Sequence, residues 1–247
     1  MLKLLTSIKI FFILFLFSCC ETSINSNYYK ADILLDSYNF DESRNLETSN
    51  SELLSFLALG DSYTIGEGVD IDDRWPNQFI EYALDNGIYF DTPEIIAETG
   101  WKSYDLISAI KSSRLDKKYD YISLLIGVNN QFNSIPVIEF ESDLNKLLLE
   151  INYLKKGNSK IIIISIPDWG YSPFGENFDR NRISSEINAY NGILKKFANI
   201  NNFKFVDITE ISRKGISEPS LIANDNLHPS GLMYHEWVKK IFQIWIN

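Results

Sequence analysis

The chain has 247 residues, of which 45% are hydrophobic, 14% aromatic and 23% charged, and its formal net charge is −10. That balance excludes a wholly disordered chain and a multi-span membrane protein, and it allows one domain of ordinary size with a sizeable core. The excess of carboxylates argues against a nucleic-acid partner, because backbone phosphates are repelled by such a surface.

Residues 1–19 read as a secretory leader. Lys3 and Lys9 supply a basic start, an apolar run extends from Ile10 to Phe17, and Ser18 precedes Cys19. The run is far shorter than the roughly 20 residues that a membrane span requires. Leu16-Phe17-Ser18-Cys19 resembles a bacterial lipobox, which makes Cys19 the expected site of lipidation, with Cys20 leaving that position open by one residue. The expectation is a lipid anchor in the bacterial cell envelope, periplasmic or surface-facing, since acyl chains contribute about 0.8 kcal/mol per buried CH2. Both cysteines of the chain lie here, so the rest of it has no thiol for a disulfide, a metal or nucleophilic attack. Residues 20–52 are rich in Ser, Asn and carboxylates and read as a polar tether. The folded domain is expected over 53–247.

Within it, short apolar runs alternate with longer helical periodicity. Leu54 to Leu59 predicts a strand, and Trp75, Phe79, Tyr82 and Ala83 recur at helical spacing before Gly87. A strand at Glu94 to Ala97 and a helix at Ser103 to Leu115 follow, then a strand at Tyr121 to Ile126 and a helix at Val137 to Lys156 stopped by Gly157. Lys160 to Ile166 predicts the fourth strand, Arg182 to Asn199 a helix, Phe203 to Ile208 the fifth strand, and Ser230 to Trp245 the last helix. Strands alternating with helices imply an α/β fold, a parallel five-stranded sheet covered on both faces in three α/β/α layers. In such sheets ligands bind beyond the carboxyl ends of the strands, where the strand order reverses. The loops of interest are therefore Gly60-Asp61-Ser62, Thr99-Gly100-Trp101, Gly127-Val128-Asn129-Asn130, Pro167-Asp168-Trp169, and Asp225-Asn226-Leu227-His228-Pro229.

Ser62 follows a strand directly, and His228, one of only two histidines, has Asp225 three residues before it. A neutral serine hydroxyl is a poor nucleophile and needs a base within hydrogen-bond reach, for which imidazole is the ordinary choice. Asp225 would hold the ring by its other nitrogen and stabilise the imidazolium. Donors for an oxyanion are available on the same rim in the backbone N–H of Ser62, the backbone N–H of Gly100 and the side-chain amide of Asn129. Asp61, Asp168 and Trp169 are candidates to line the substrate pocket, and Tyr171 to Phe174 to continue its wall. His235 has no metal-ligand spacing to any other residue and is assigned no role. This chemistry needs neither a metal nor an organic cofactor.

Phe56 to Thr64, with Gly60-Asp61-Ser62-Tyr63 at its centre, resembles the first block of the GDSL or SGNH hydrolases. Glu98-Thr99-Gly100-Trp101, Ile126-Gly127-Val128-Asn129-Asn130 and Asp225-Asn226-Leu227-His228-Pro229 are similar, in order, to that family's glycine, Gly-x-Asn-Asp and Asp-x-x-His-Pro blocks. The resemblance implies a flavodoxin-like sheet with Ser62 as nucleophile, His228 as base, Asp225 completing a triad, and Gly100 and Asn129 as oxyanion donors. Two positions depart from the pattern: Tyr63 stands where the family name has leucine, and Asn130 replaces an aspartate, with altered loop packing the expected consequence.

The expected activity is hydrolysis of carboxylic esters through an acyl-serine intermediate, with short acyl groups on glycans or small esters preferred because no long lid segment stands out. A lysophospholipase or thioesterase acting on lipid is the alternative within the same chemistry. Two binding-only readings compete. A phosphate-cradling loop over Gly60 to Gly68 lacks Walker spacing and its lysine, and leaves Asp225 and His228 unused. A glycan-binding domain without turnover leaves Ser62 and His228 unexplained.

Overall fold

The computed structural model describes residues 53–246. The leader over 1–19 with Cys19, and the tether over 20–52, lie outside the described residues. Among those described, no helix is long and apolar enough to cross a membrane.

The chain alternates as the periodicity predicts. Strand β1 (Phe56–Asp61) leads directly into a one-turn helix α1 (Ser62–Ile65), and α2 (Trp75–Asp85) crosses to β2 (Glu94–Glu98). Helix α3 (Ser103–Ser113) leads to β3 (Tyr119–Leu125), followed by short α4 (Val128–Phe132) and long α5 (Val137–Leu154). Then come β4 (Lys155–Ile164), α6 (Arg180–Ile200), β5 (Lys204–Val206), short α7 (Thr209–Ser212) and α8 (Gly231–Trp245). All pairings are parallel and the strand order is β2-β1-β3-β4-β5, the flavodoxin-like order. Right-handed crossovers then send α3, α5 and α6 to one face, while α2 packs with α8.

Burial on both faces explains the strand sequences. Every residue of β1 is buried, and Ile161 to Ile164 of β4 form an unbroken β-branched run, as a strand with no solvent face requires. The helices are amphipathic and end for identifiable reasons. After α2, Gly87 adopts φ +76° and its N–H caps the carbonyl of Leu84, a conformation that a residue with a Cβ seldom takes. Towards the β1 and β3 side the core is aromatic: Phe56 meets Trp245 edge-on at 5.2 Å, and Phe90 meets Tyr121 at 4.9 Å.

The α5 to β4 boundary departs from expectation. The helix stops at Leu154, its last buried position, and not at Gly157, because Lys155 is already extended and pairs in register with Tyr119. The pairing shifts register between Tyr119 and Tyr121, which lets β4 start five residues before Lys160. The strand order reverses between β1 and β3, so the loops carrying Ser62 and Asn129 flank the crevice where ligands bind in this topology.

Candidate active site

Ser62 is the first residue of α1, held at the end of a fully buried strand. Asp61 caps that helix: its Oδ1 accepts from the backbone N–H of Tyr63 at 3.1 Å. Gly66, at φ +74°, ends the helix and donates its N–H to the carbonyl of Ser62. The turn fixes the backbone of Ser62 on both sides, and its Oγ lies 2.9 Å from His228 Nε2.

His228 is placed by a tight turn before α8. Asp225 Oδ1 accepts from the backbone N–H groups of both Leu227 and His228 at 2.9 Å, an arrangement completed by Asn226 at φ +66°. Asp225 Oδ2 is left to meet His228 Nδ1 at 2.6 Å. A carboxylate only accepts, so Nδ1 carries the proton and Nε2 is free to accept from Ser62 Oγ. Partial burial acts to raise Asp225, but the two backbone hydrogen bonds and the imidazole outweigh it and hold the carboxyl below its ordinary range. The aspartate is therefore charged wherever the imidazole is called on to take a proton.

Asn129, on α4, faces the same cavity as Ser62 and His228, and its Nδ2 donates to the carbonyl of Trp101 at 2.9 Å. One amide hydrogen is spent on that bond and the second remains for a ligand. Gly100 precedes Trp101 on the exposed loop after β2, at φ +83°. A Cβ there would meet nothing within 4 Å, so backbone conformation, and not crowding, is what calls for glycine.

A cavity of about 110 Å³ opens onto Ser62, Asn129 and His228, walled by Val128, Phe132, Trp169, Phe174 and Leu227. Trp169 is one of these walls. Its ring meets Phe132 at 5.4 Å and Phe174 at 5.9 Å, and its Nε1 donates to Gln131 Oε1 at 2.8 Å. Phe132 and Gln131 are wall and support that the sequence did not single out, although both lie within a turn of Asn129 on α4. A larger open groove of about 640 Å³, beside Val69, Asp70 and Asn224, shares no lining residue with this cavity.

Two candidates for substrate contact are corrected. Asp61 is fully buried and faces inward as a helix cap; its Oδ2 has no hydrogen-bond partner among the described residues, and burial pushes the carboxyl up to about 8. Asp168 is buried too, and its carboxylate is taken up by Gly170 N–H at 3.1 Å, Ser184 Oγ at 2.7 Å and Arg213 Nε at 3.0 Å. It anchors the loop that presents Trp169, with both oxygens engaged and the side chain wholly buried away from a ligand. His235 is exposed on α8, with its ring 6.3 Å from that of Tyr82.

Residues 58–235 match the GDSL-like Lipase/Acylhydrolase family. No curated protein sequence matches the chain. Among solved structures, TesA is similar with a TM-score of 0.61 at 13% identity, over 76% of this chain and 96% of that one. A member of the lipolytic protein G-D-S-L family from Veillonella parvula gives 0.61 at 17%, over 78% and 98%. Axe2, an acetylxylan esterase from Geobacillus stearothermophilus, gives 0.59 at 18%, over 77% and 93%. At these identities the structural likeness speaks to the fold, and it is the family match across most of the chain that assigns the chemistry. The chain belongs to the GDSL-like lipase/acylhydrolase family and is a carboxylic ester hydrolase.

Proposed function

We propose that this enzyme removes short acyl groups, acetyl above all, from glycans or small esters through an acyl-serine intermediate. The observation that carries the mechanism is the unbroken line from Ser62 Oγ to His228 Nε2 at 2.9 Å and from His228 Nδ1 to Asp225 Oδ2 at 2.6 Å. Ser62 Oγ attacks the ester carbonyl as His228 Nε2 takes its proton, and the carbonyl π pair moves onto oxygen. The backbone N–H groups of Ser62 and Gly100 and the free amide hydrogen of Asn129 receive that charge. Collapse expels the alcohol, which takes the proton from Nε2. Water then repeats the sequence on the acyl-serine, releasing the acid and restoring the Ser62 hydroxyl.

The size of the pocket supports a short acyl group. Its volume of about 110 Å³ falls well below the roughly 300 Å³ at which sites for drug-sized ligands begin. The likeness to Axe2, an acetylxylan esterase, supports an acetylated glycan as the substrate class. One observation favours a lipid ester instead: Phe132 on the cavity wall and Phe178, whose ring lies 5.1 Å from that of Trp169, are 48% and 40% exposed and would cover a chain running outward. The lipobox-like leader and tether complete the proposal with an enzyme held on an envelope membrane through Cys19.

The experiment is hydrolysis of p-nitrophenyl esters from acetate to palmitate by the domain from residue 53 onward, with Ser62→Ala as the blank. A maximum at acetate or propionate supports the short-acyl reading; a maximum at octanoate or longer transfers the case to lipid. Metabolic labelling of the full chain with a palmitate analogue, lost in Cys19→Ala/Cys20→Ala, checks the anchor, and an unlabelled full chain refutes it.

A further inference from the structure

The two loops on the oxyanion side of the site are joined from behind by a buried chain of hydrogen bonds. Asn130 is fully buried; its Oδ1 accepts from the backbone N–H of Ser103 at 2.9 Å, and its Nδ2 donates to Ser103 Oγ at 2.8 Å. A hydroxyl that accepts from an amide still has its own proton to place. Ser103 Oγ gives it to Asp143 Oδ2 on α5 at 2.7 Å, and Asp143 Oδ1 receives Lys146 Nζ at 2.8 Å. Ser103 is fully buried and Asp143 nearly so.

The direction of this chain follows from the amide at position 130. A carboxylate there would accept from both the N–H and the Oγ–H of Ser103, leaving Asp143 with no proton to receive from Ser103. An amide reverses the second bond and frees the Ser103 proton for α5. We propose that Asp143, acting through Ser103 and Asn130, is a positioning residue for the oxyanion hole: it provides from α5 the carboxylate that position 130 lacks. The inference rests on the proposed role of Gly100 and Asn129 as oxyanion donors. Asn130 adjoins Asn129, Ser103 lies three residues after Gly100, and the bond from Asn129 to Trp101 is the one other side-chain tie between the loops among the described residues. With Asp143 removed, the Ser103 hydroxyl turns elsewhere and the register between the two donors slackens. A displacement of about 1 Å at a reacting centre costs on the order of 100-fold in rate.

The test compares wild type with Asp143→Ala, Asn130→Asp and the exchange variant Asn130→Asp/Asp143→Asn, using p-nitrophenyl acetate and counting active sites by fluorophosphonate titration. Asp143→Ala is expected to lower kcat per titrated site by about 10- to 100-fold, with KM within about twofold, because the lost contacts matter most when the oxyanion forms. Asn130→Asp alone is expected to fall comparably, since it sets two carboxylates across a hydroxyl with one proton. The exchange variant reverses the chain, so that an amide at position 143 donates to Ser103 Oγ and Ser103 Oγ donates to a carboxylate at position 130. It is expected to return kcat to within about threefold of wild type. A wholly structural role would reduce the number of titrated sites and leave kcat per site unchanged; that result overturns the inference, as does an exchange variant no better than the worse single change. The Ser62→Ala blank keeps the two ideas separate. Turnover surviving in the blank refutes the esterase mechanism itself, whereas serine-dependent turnover that is indifferent to Asp143 refutes only the positioning role.

Discussion

Replacing Asp225 by asparagine separates the geometry of the triad from its electrostatics. The aspartate makes three hydrogen bonds, two through Oδ1 to the backbone N–H groups of Leu227 and His228 and one through Oδ2 to the imidazole at 2.6 Å. Asparagine retains a carbonyl oxygen for the two backbone bonds, so the turn that presents His228 is kept and stability should change by no more than about 1 kcal/mol. What changes is the group facing Nδ1. An amide NH2 only donates, so Nδ1 must become the acceptor and the ring proton moves to Nε2, where it points at Ser62 Oγ and no lone pair remains for the serine proton. In a Ser-His-Asp triad that tautomeric error costs about 10⁴-fold, equivalent to roughly 5.5 kcal/mol of transition-state stabilisation. The assay is kcat/KM for p-nitrophenyl acetate alongside a thermal melt. A variant that melts like wild type and loses about four orders of magnitude meets the expectation. One that melts normally and stays within about tenfold of wild type refutes the tautomer argument, and with it the assignment of Asp225 as orienter.

Two further expectations come from the same geometry. Burial raises the Asp61 carboxyl from 3.8 to about 8 against the opposing hydrogen bond from Tyr63 N–H, so the folded state binds that proton more tightly than the unfolded chain. The stability tied to it is fully present below about pH 4 and is lost as the pH rises towards 8, by up to about 6 kcal/mol. Asp61→Asn should therefore gain on wild type in chemical denaturation as the pH is raised from 4 to 8, and a stability difference independent of pH contradicts this. Phe174→Ala removes one aromatic wall of the acyl cavity and should move the ester chain-length optimum up by two or more carbons, at roughly fourfold per newly accommodated methylene. An unmoved optimum would show that this cavity does not hold the acyl group.

Much of this organisation was legible in the sequence because a parallel sheet leaves so strong a pattern. Buried strands read as apolar runs, and the topology then delivers the loops after β1, β2 and β3 to one rim, which made Ser62, Gly100 and Asn129 candidates by position, while their roles came from the resemblance of the four sequence blocks. What the sequence did not reveal is the direction of a side chain at the point where a strand ends. Asp61 and Asp168 stand at those ends beside Ser62 and Trp169, yet each turns inward to satisfy backbone N–H groups of the turn that follows. Gly157 looked like a helix stop, but pairing of Lys155 with Tyr119 ended α5 first, a tertiary contact that no local signal announces. The link from Asn130 to Asp143 spans α4, α3 and α5 and becomes visible only when the three are packed.

The most direct test of the mechanism is mass-spectrometric mapping of a fluorophosphonate adduct on the wild-type enzyme, followed in parallel with p-nitrophenyl acetate turnover. One adduct per chain on the peptide containing Ser62, with turnover falling in step and no labelling in His228→Ala, is the predicted result. Turnover that persists after Ser62 is labelled, or an adduct on a different serine, would contradict the account.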